Sequence, residues 1–161
     1  MSYNTLGGIV KLKYVSNTHF VIYINKDMID VDINKKEEVE SFIKDLVIDI
    51  KRIFGYKIRG MLDVNVYHNI KYGMVIEFIK LDSLDFFPDL IDLKLHIYKN
   101  ALMFLEFDDY FIIKKYKKIY YKDNKFYIDI NDFTKYDLTM LSEFYNIIYN
   151  VSFDDYKILV I

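Results

Sequence analysis

The spacing of apolar residues changes period several times along the chain, and each change predicts an element. IVKLKYV (9–15) and HFVIYIN (19–25) are short β-branched and aromatic runs separated by Ser16-Asn17-Thr18, which predicts a hairpin. From 35 to 54 the period becomes helical. Val39, Phe42, Ile43, Leu46, Val47, Ile50, Ile53 and Phe54 recur at three and four, with Asn34 as the expected N-cap, Glu37 three residues on and Gly55 as the stop. MLDVNVYH (61–68) alternates, with Leu62, Val64 and Val66 on one face, and MVIEFIKL (74–81) and IDLKLHIY (91–98) continue as strands. ALMFLEF (101–107) is apolar on both faces and is expected in the interior of a sheet. YFIIK, KIYY and FYIDI (126–130) follow as further strands, and YKILVI (156–161) reads as a last one. Between them a second helix is expected over about 133–149, capped by Asn131 or Asp132. Its stripe is Phe133, Tyr136, Met140, Leu141, Phe144, Ile147 and Ile148. The predicted class is therefore α+β, a mostly antiparallel sheet or sheets with two main helices, about 35–54 and 133–149.

The length of 161 residues suits a single compact domain, 1–161. Pro88 in DSLDFFPDLID marks 82–90 as the place where two subdomains would meet, although no Ser- or Gly-rich linker separates them. Composition refines this picture. Aromatics make up 18% of the chain, with 16 Tyr, 13 Phe and no Trp, and only Arg52 and Arg59 represent arginine. Such Tyr, Phe, Ile, Lys and Asn usage suggests an AT-rich genome, in which Lys and Tyr are common background. The formal net charge is −2, so any basic patch is local, and nucleic acid is not the expected partner. With no Cys, a disulfide framework, a thiolate zinc site and a Cys nucleophile are all excluded. The first residues lack a basic segment followed by a long apolar run, and no stretch approaches the roughly 18 apolar residues of a membrane span. The expectation is a cytoplasmic protein without a membrane partner.

Candidate chemistry is sparse. Asp30, Asp32 and Asn34 imitate the first ligands of a calcium loop, but Lys35 and Ser41 stand where the loop needs Gly and Glu. Asp82, Asp85, Asp89 and Asp92 read as a solvated acidic loop. His19, His68 and His96 fall in predicted strands with no acidic residue at ligand spacing beside them along the chain. There is no nucleophile elbow and no glycine-rich phosphate loop. No catalytic residue, cofactor or metal ligand is assigned.

One stretch stands out. KKYKKIYYKDNKFYIDI (114–130) interleaves lysines with aromatic residues, a pattern that can grip a single nucleic acid strand. The reading preferred here is a β-hairpin with a four-residue loop, Lys122-Asp123-Asn124-Lys125. Its outward face would show Lys and Tyr at a sheet edge. The candidate binding residues are Lys115, Lys118, Tyr120, Lys122 and Tyr127.

The order of elements resembles that of MecA-type adaptor proteins, which link substrates to a bacterial AAA+ unfoldase. KLKYVSNTHFVIYI, the helix from Lys35 and MLDVNVYHNIKYGMVIEFIK match an N-terminal β-α-β unit; FDDY and YKDNKFYIDI resemble turns and strands of a C-terminal one. The chain departs from that pattern where YFIIKKYKKIYY reads as strands and the family has a helix. No site residue is carried over. The expected function is that of a small, non-enzymatic regulatory or adaptor protein acting through protein–protein contacts with an unidentified partner, with a homodimer left open. The alternatives are a nucleic-acid-associated protein using the Lys/Tyr patch at 114–125, or an enzyme or ligand binder whose site is scattered over the sheet.

Overall fold

The computed structural model describes residues 3–6, 10–55, 60–81, 91–150 and 155–160. The chain divides into two compact units, Met1–Asn100 and Ala101–Ile161. Residues 82–90, the expected meeting place of two subdomains, lie outside the described residues.

In the first unit, β1 (Tyr3–Leu6), β2 (Val10–Ser16), β3 (His19–Asn25), β4 (Gly60–Asn69), β5 (Gly73–Lys80) and β6 (Ile91–Tyr98) form a six-stranded sheet in the order β1-β2-β3-β5-β4-β6. Every neighbouring pair is antiparallel except β4 and β6, which run parallel, so the sheet is mixed. Register places Leu12, Ile22, Ile76, Val66 and Ile97 in one row across the strands, and Phe20, Phe78, Val64 and Leu95 in the next. These rows form an apolar face. Helix α1 (Lys36–Phe54) buries Val39, Ile43, Leu46, Val47 and Ile50 in the same core, with Phe42 half-buried beside it. The stripe read from the sequence, from Val39 to Ile50, is thus the docked face; the side chains of Ile53 and Phe54 lie outside the described residues.

The helix stops at Gly55 as expected, in a left-handed conformation (φ 68°) whose N–H reaches the Lys51 carbonyl at 3.1 Å. Its start differs from the expectation. The N-cap is Lys35, without a side-chain cap bond, and Asn34 does not cap. Asp32 organises the entry instead, since its carboxylate accepts the Asn34 N–H at 2.9 Å and its carbonyl the Lys35 N–H at 3.0 Å. Asp makes this local turn readily, and the turn puts Asn34 one position too early to cap. The β4–β5 turn is similarly built. Buried Asn69 accepts the N–H groups of Lys71 (2.9 Å) and Tyr72 (3.1 Å) through its side-chain oxygen. Gly73 then adopts φ 132° against β3, where a Cβ would lie 2.2 Å from the Ile24 carbonyl oxygen.

The second unit contains a five-stranded sheet. Its strands are β7 (Phe104–Phe107), β8 (Lys118–Lys122), β9 (Lys125–Asp129), β10 (Tyr145–Ile148) and β11 (Lys157–Val160), in the order β10-β7-β9-β8-β11. All its pairings are antiparallel. β7 is interior, as the two-sided apolar run required. One face buries Leu105, Phe107, Ile119, Ile128 and Ile147, together with Ile113, Tyr116, Phe133 and Leu138 from the connecting segments.

Two expected elements are replaced. YFIIK does not form a strand; Tyr110–Ile113 makes a helical turn, α2, because Asp109 accepts the Phe111 N–H at 2.9 Å and caps it. The helix expected over 133–149 does not form as one piece. A 3-10 turn (Ile130–Asp132) leads to Thr134, which caps a six-residue helix α3 (Lys135–Met140), and residues 145–148 become β10. Pairing decides this. Ile147 lies opposite Leu105 in β10–β7, a contact that a continuous helix would forfeit. Consequently Tyr136 (68% exposed), Met140 (58%) and Phe144 (53%) of the expected apolar stripe face solvent, while Phe133 and Ile147 are buried.

Candidate functional site

The stretch 114–130 is indeed organised around a hairpin, β8–β9, but a tighter one than expected. Tyr120 pairs with Tyr127 and Lys122 with Lys125, which leaves a two-residue turn. Asp123 (φ 51°) and Asn124 (φ 63°) both take the left-handed conformation, as a type I′ turn demands and as Asp and Asn tolerate. The hairpin is not a sheet edge, in contrast to the sequence reading. β11 covers β8 on its outer side, and the ends of the strand order are β10 and β11.

The face opposite the core carries the candidate residues. Register aligns Ile158, Tyr120, Tyr127, Glu106 and Asn146 in one row across five strands. Lys118 and Lys122 flank Tyr120 on β8. The Lys118 ammonium lies 5.2 Å from the Tyr120 ring centre and that of Lys122 5.0 Å from the Tyr156 ring. The Tyr120 side chain, with smaller contributions from Asp132 and Asp129, holds Lys118 above the usual lysine value. Tyr127 is buried and meets Tyr156 edge-on at 4.9 Å. Burial, and after it a hydrogen bond to Glu106, pushes its phenol upward. Phe104 meets Tyr120 edge-on at 5.5 Å.

Lys115 is not on this face. It stands before β8, with its ammonium 3.0 Å from Asp137 of α3, and Tyr116 donates to the other oxygen of that carboxylate at 3.0 Å. The contacts hold Asp137 below the usual carboxylate value, Lys115 first and then Tyr116, against an opposing effect of burial. Of the five expected residues, Lys118, Tyr120, Lys122 and Tyr127 are therefore together, and Lys115 belongs to a clamp between two connecting segments.

Glu106 was missed by the sequence reading. It accepts from Asn146 (3.4 Å) and Lys125 (3.5 Å), and Lys125 also reaches Asp108 at 2.9 Å. The signal was a lone acidic residue between Leu105 and Phe107, which alternation turns away from the core.

The face of the six-stranded sheet opposite its apolar rows holds a second polar group. His19 lies 3.1 Å from Glu77, whose other oxygen accepts from Asn65 at 3.1 Å; His96 lies 3.1 Å from Asp63. Both histidines thus meet carboxylates across strands, where spacing along the chain had suggested none. The same Asp63 oxygen is sealed from solvent, and His96 approaches it without hydrogen-bond geometry. An unmatched buried acceptor of this kind costs stability. His68 points to the other face, and burial lowers its pKa. Tyr67 and Tyr98 stack at 4.9 Å beside the group; burial, then Glu77 and then Tyr98 push Tyr67 up to about 12. His19 and His96 each have one carboxylate partner. Among the described residues no three His, Asp or Glu side chains converge to hold a metal ion.

Among the described residues no helix is long and apolar enough to cross a membrane. No protein-family model, no curated protein and no solved structure matches this chain.

Proposed function

We infer that the chain is a small cytoplasmic regulatory or adaptor protein that acts through protein–protein contacts, with the Tyr/Lys face of the five-stranded sheet as its contact surface. The observation that carries this reading is the row Ile158–Tyr120–Tyr127–Glu106–Asn146, in which rings and one half-exposed Ile lie beside a carboxylate already paired within the unit. Tyrosine offers large contact area at low rotamer cost, which suits an interface core with a polar rim. The test is a photo-crosslinking residue at position 120, expressed in the native host. A discrete protein adduct that disappears with Ile158→Asp supports the reading. Absence of any adduct from a folded protein removes it.

A second reading has its own support. The Lys118 and Lys122 ammonium groups lie over aromatic rings, an arrangement that a strand-gripping surface uses. Of the three candidate lysines, Lys115 is engaged by Asp137, which leaves Lys118 and Lys122 for phosphates. Under this reading the Lys118→Gln/Lys122→Gln protein should show a log–log salt slope on single strands flatter by about 1.4. The protein-contact reading expects no binding tighter than about micromolar at physiological salt.

A further inference from the structure

We propose that strand β6 (Ile91–Tyr98) is a self-association edge, at which a second copy of this chain adds its own β6 antiparallel about a two-fold axis at Leu93. This surface belongs to the first unit and is independent of the Tyr/Lys face. β6 closes the six-stranded sheet, pairing with β4 on one side and, among the described residues, with no strand on the other. It runs for eight residues, twice the length of β1 at the opposite edge. Natural edges are usually blunted by shortness, by charged side chains, by proline, by a bulge or by a covering segment, and charges protect an edge from a second copy only where they repel. β6 has no proline, and its pairing with β4 runs without a register shift from Ile91 to Tyr98.

Its charges are of opposite sign. Asp92 and Lys94 are both exposed and stand two residues apart, hence on one face of the strand. Neither has an ion-pair partner among the described residues. Asp63, which lies beside Lys94 in the parallel register, has its carboxylate 3.1 Å from His96. A two-fold axis at Leu93 sets Asp92 opposite Lys94 of the second copy, and Lys94 opposite its Asp92. Leu93, half-buried on the core face, meets its own counterpart. Neighbouring registers are poorer: an axis at Lys94 opposes two lysines, and an axis at Leu95 opposes Lys94 and His96. A second β6 therefore pairs with Ile91–Leu95 of this edge and matches its opposite charges and Leu93 together.

The experiment is sedimentation of the whole chain up to about 200 µM, a range suited to a small interface. Wild type should show a monomer–dimer equilibrium. Asp92→Lys and Lys94→Asp each place like charges opposite one another and should weaken the dimer about tenfold or more. An equimolar mixture of the two single variants, or the double exchange in one chain, should restore it. The chain has no Cys, so Leu93→Cys should give a disulfide-linked dimer on mild oxidation and Tyr98→Cys should not. Circular dichroism confirms that each variant is folded. A wild type that stays monomeric throughout, single variants that associate as well as wild type, or a mixture that fails to restore association would overturn the proposal.

Discussion

Replacing Ile43 by Ala tests whether α1 is held by its apolar stripe. Ile43 is fully buried and lies in the cluster with Val39, Val47, Ile22, Val64 and Ile76. The substitution removes three carbons, worth about 0.8 kcal/mol each in transfer from water, or about 2.4 kcal/mol. The cavity adds to this, because the helix is flanked by strands held in register and the site can collapse only in part. The expected loss is about 3–4 kcal/mol, within the range for Ile→Ala in packed cores. Ile48, on the same helix and 55% exposed, supplies the control; Ile48→Ala should change stability by less than about 0.5 kcal/mol. Urea denaturation followed by far-ultraviolet circular dichroism reads both, with the midpoint reporting stability and the slope checking that cooperativity is unchanged. A loss below about 1 kcal/mol at Ile43, or equal losses at the two positions, would refute the docking of this face.

Three further outcomes are expected. Asp137 is held below its unfolded value, so its clamp contributes fully above the ordinary carboxylate pKa and is lost as pH falls through the lower folded value. Acid titration of Asp137→Asn should therefore lack part of the wild-type loss of stability, and an unchanged acid limb would count against the clamp. Tyr67 and Tyr145 are both pushed by burial to about 12, so their neutral forms stabilise the fold below about pH 10, and that contribution drains away between pH 10 and 12. Phenolate absorbance should show these two titrating late and together with unfolding; full titration near pH 10 in the folded protein would contradict their burial. Asn124→Gly should stabilise the β8–β9 hairpin by about 0.5 kcal/mol, since φ is positive there and Gly bears no Cβ penalty; a destabilisation would mean that the turn is not of this type, or that the Tyr121 bond to the Asn124 side chain outweighs the backbone gain.

The parts of the fold that could be read from the sequence are those where one face alone was apolar over a long span. α1 declared itself by nineteen residues of stripe and a terminal glycine, and β4 by strict alternation. Short apolar runs were ambiguous. YFII forms a helical turn because Asp109 caps it, and YNII forms a strand because β7 offers a pairing edge; neither cause is visible in the period of the run itself. The hairpin at 118–129 was legible from its turn residues, but its place inside the sheet was not, because β11 comes from the far end of the chain. Glu77, Asp63 and Glu106 were invisible as partners for the same reason. They meet His19, His96 and Tyr127 across strands, at separations that no local spacing reports.

The parallel pairing of β6 has a consequence for the order of assembly. β4 and β5 are joined by the short turn at Asn69–Gly73 and can zip together early, at small loop-closure cost. β6 reaches β4 only after a long excursion of the chain, with Gly60 beside Ile91 and Tyr67 beside Tyr98, so it joins a platform that already exists. Among the described residues it is also bonded to a strand on one side alone. In native-state hydrogen exchange the amides of β6 should open before those of β5, which is bonded on both sides. Late arrival and early release make this strand the natural point of exchange between copies, and binding at its outer side would slow its exchange without altering that of β5.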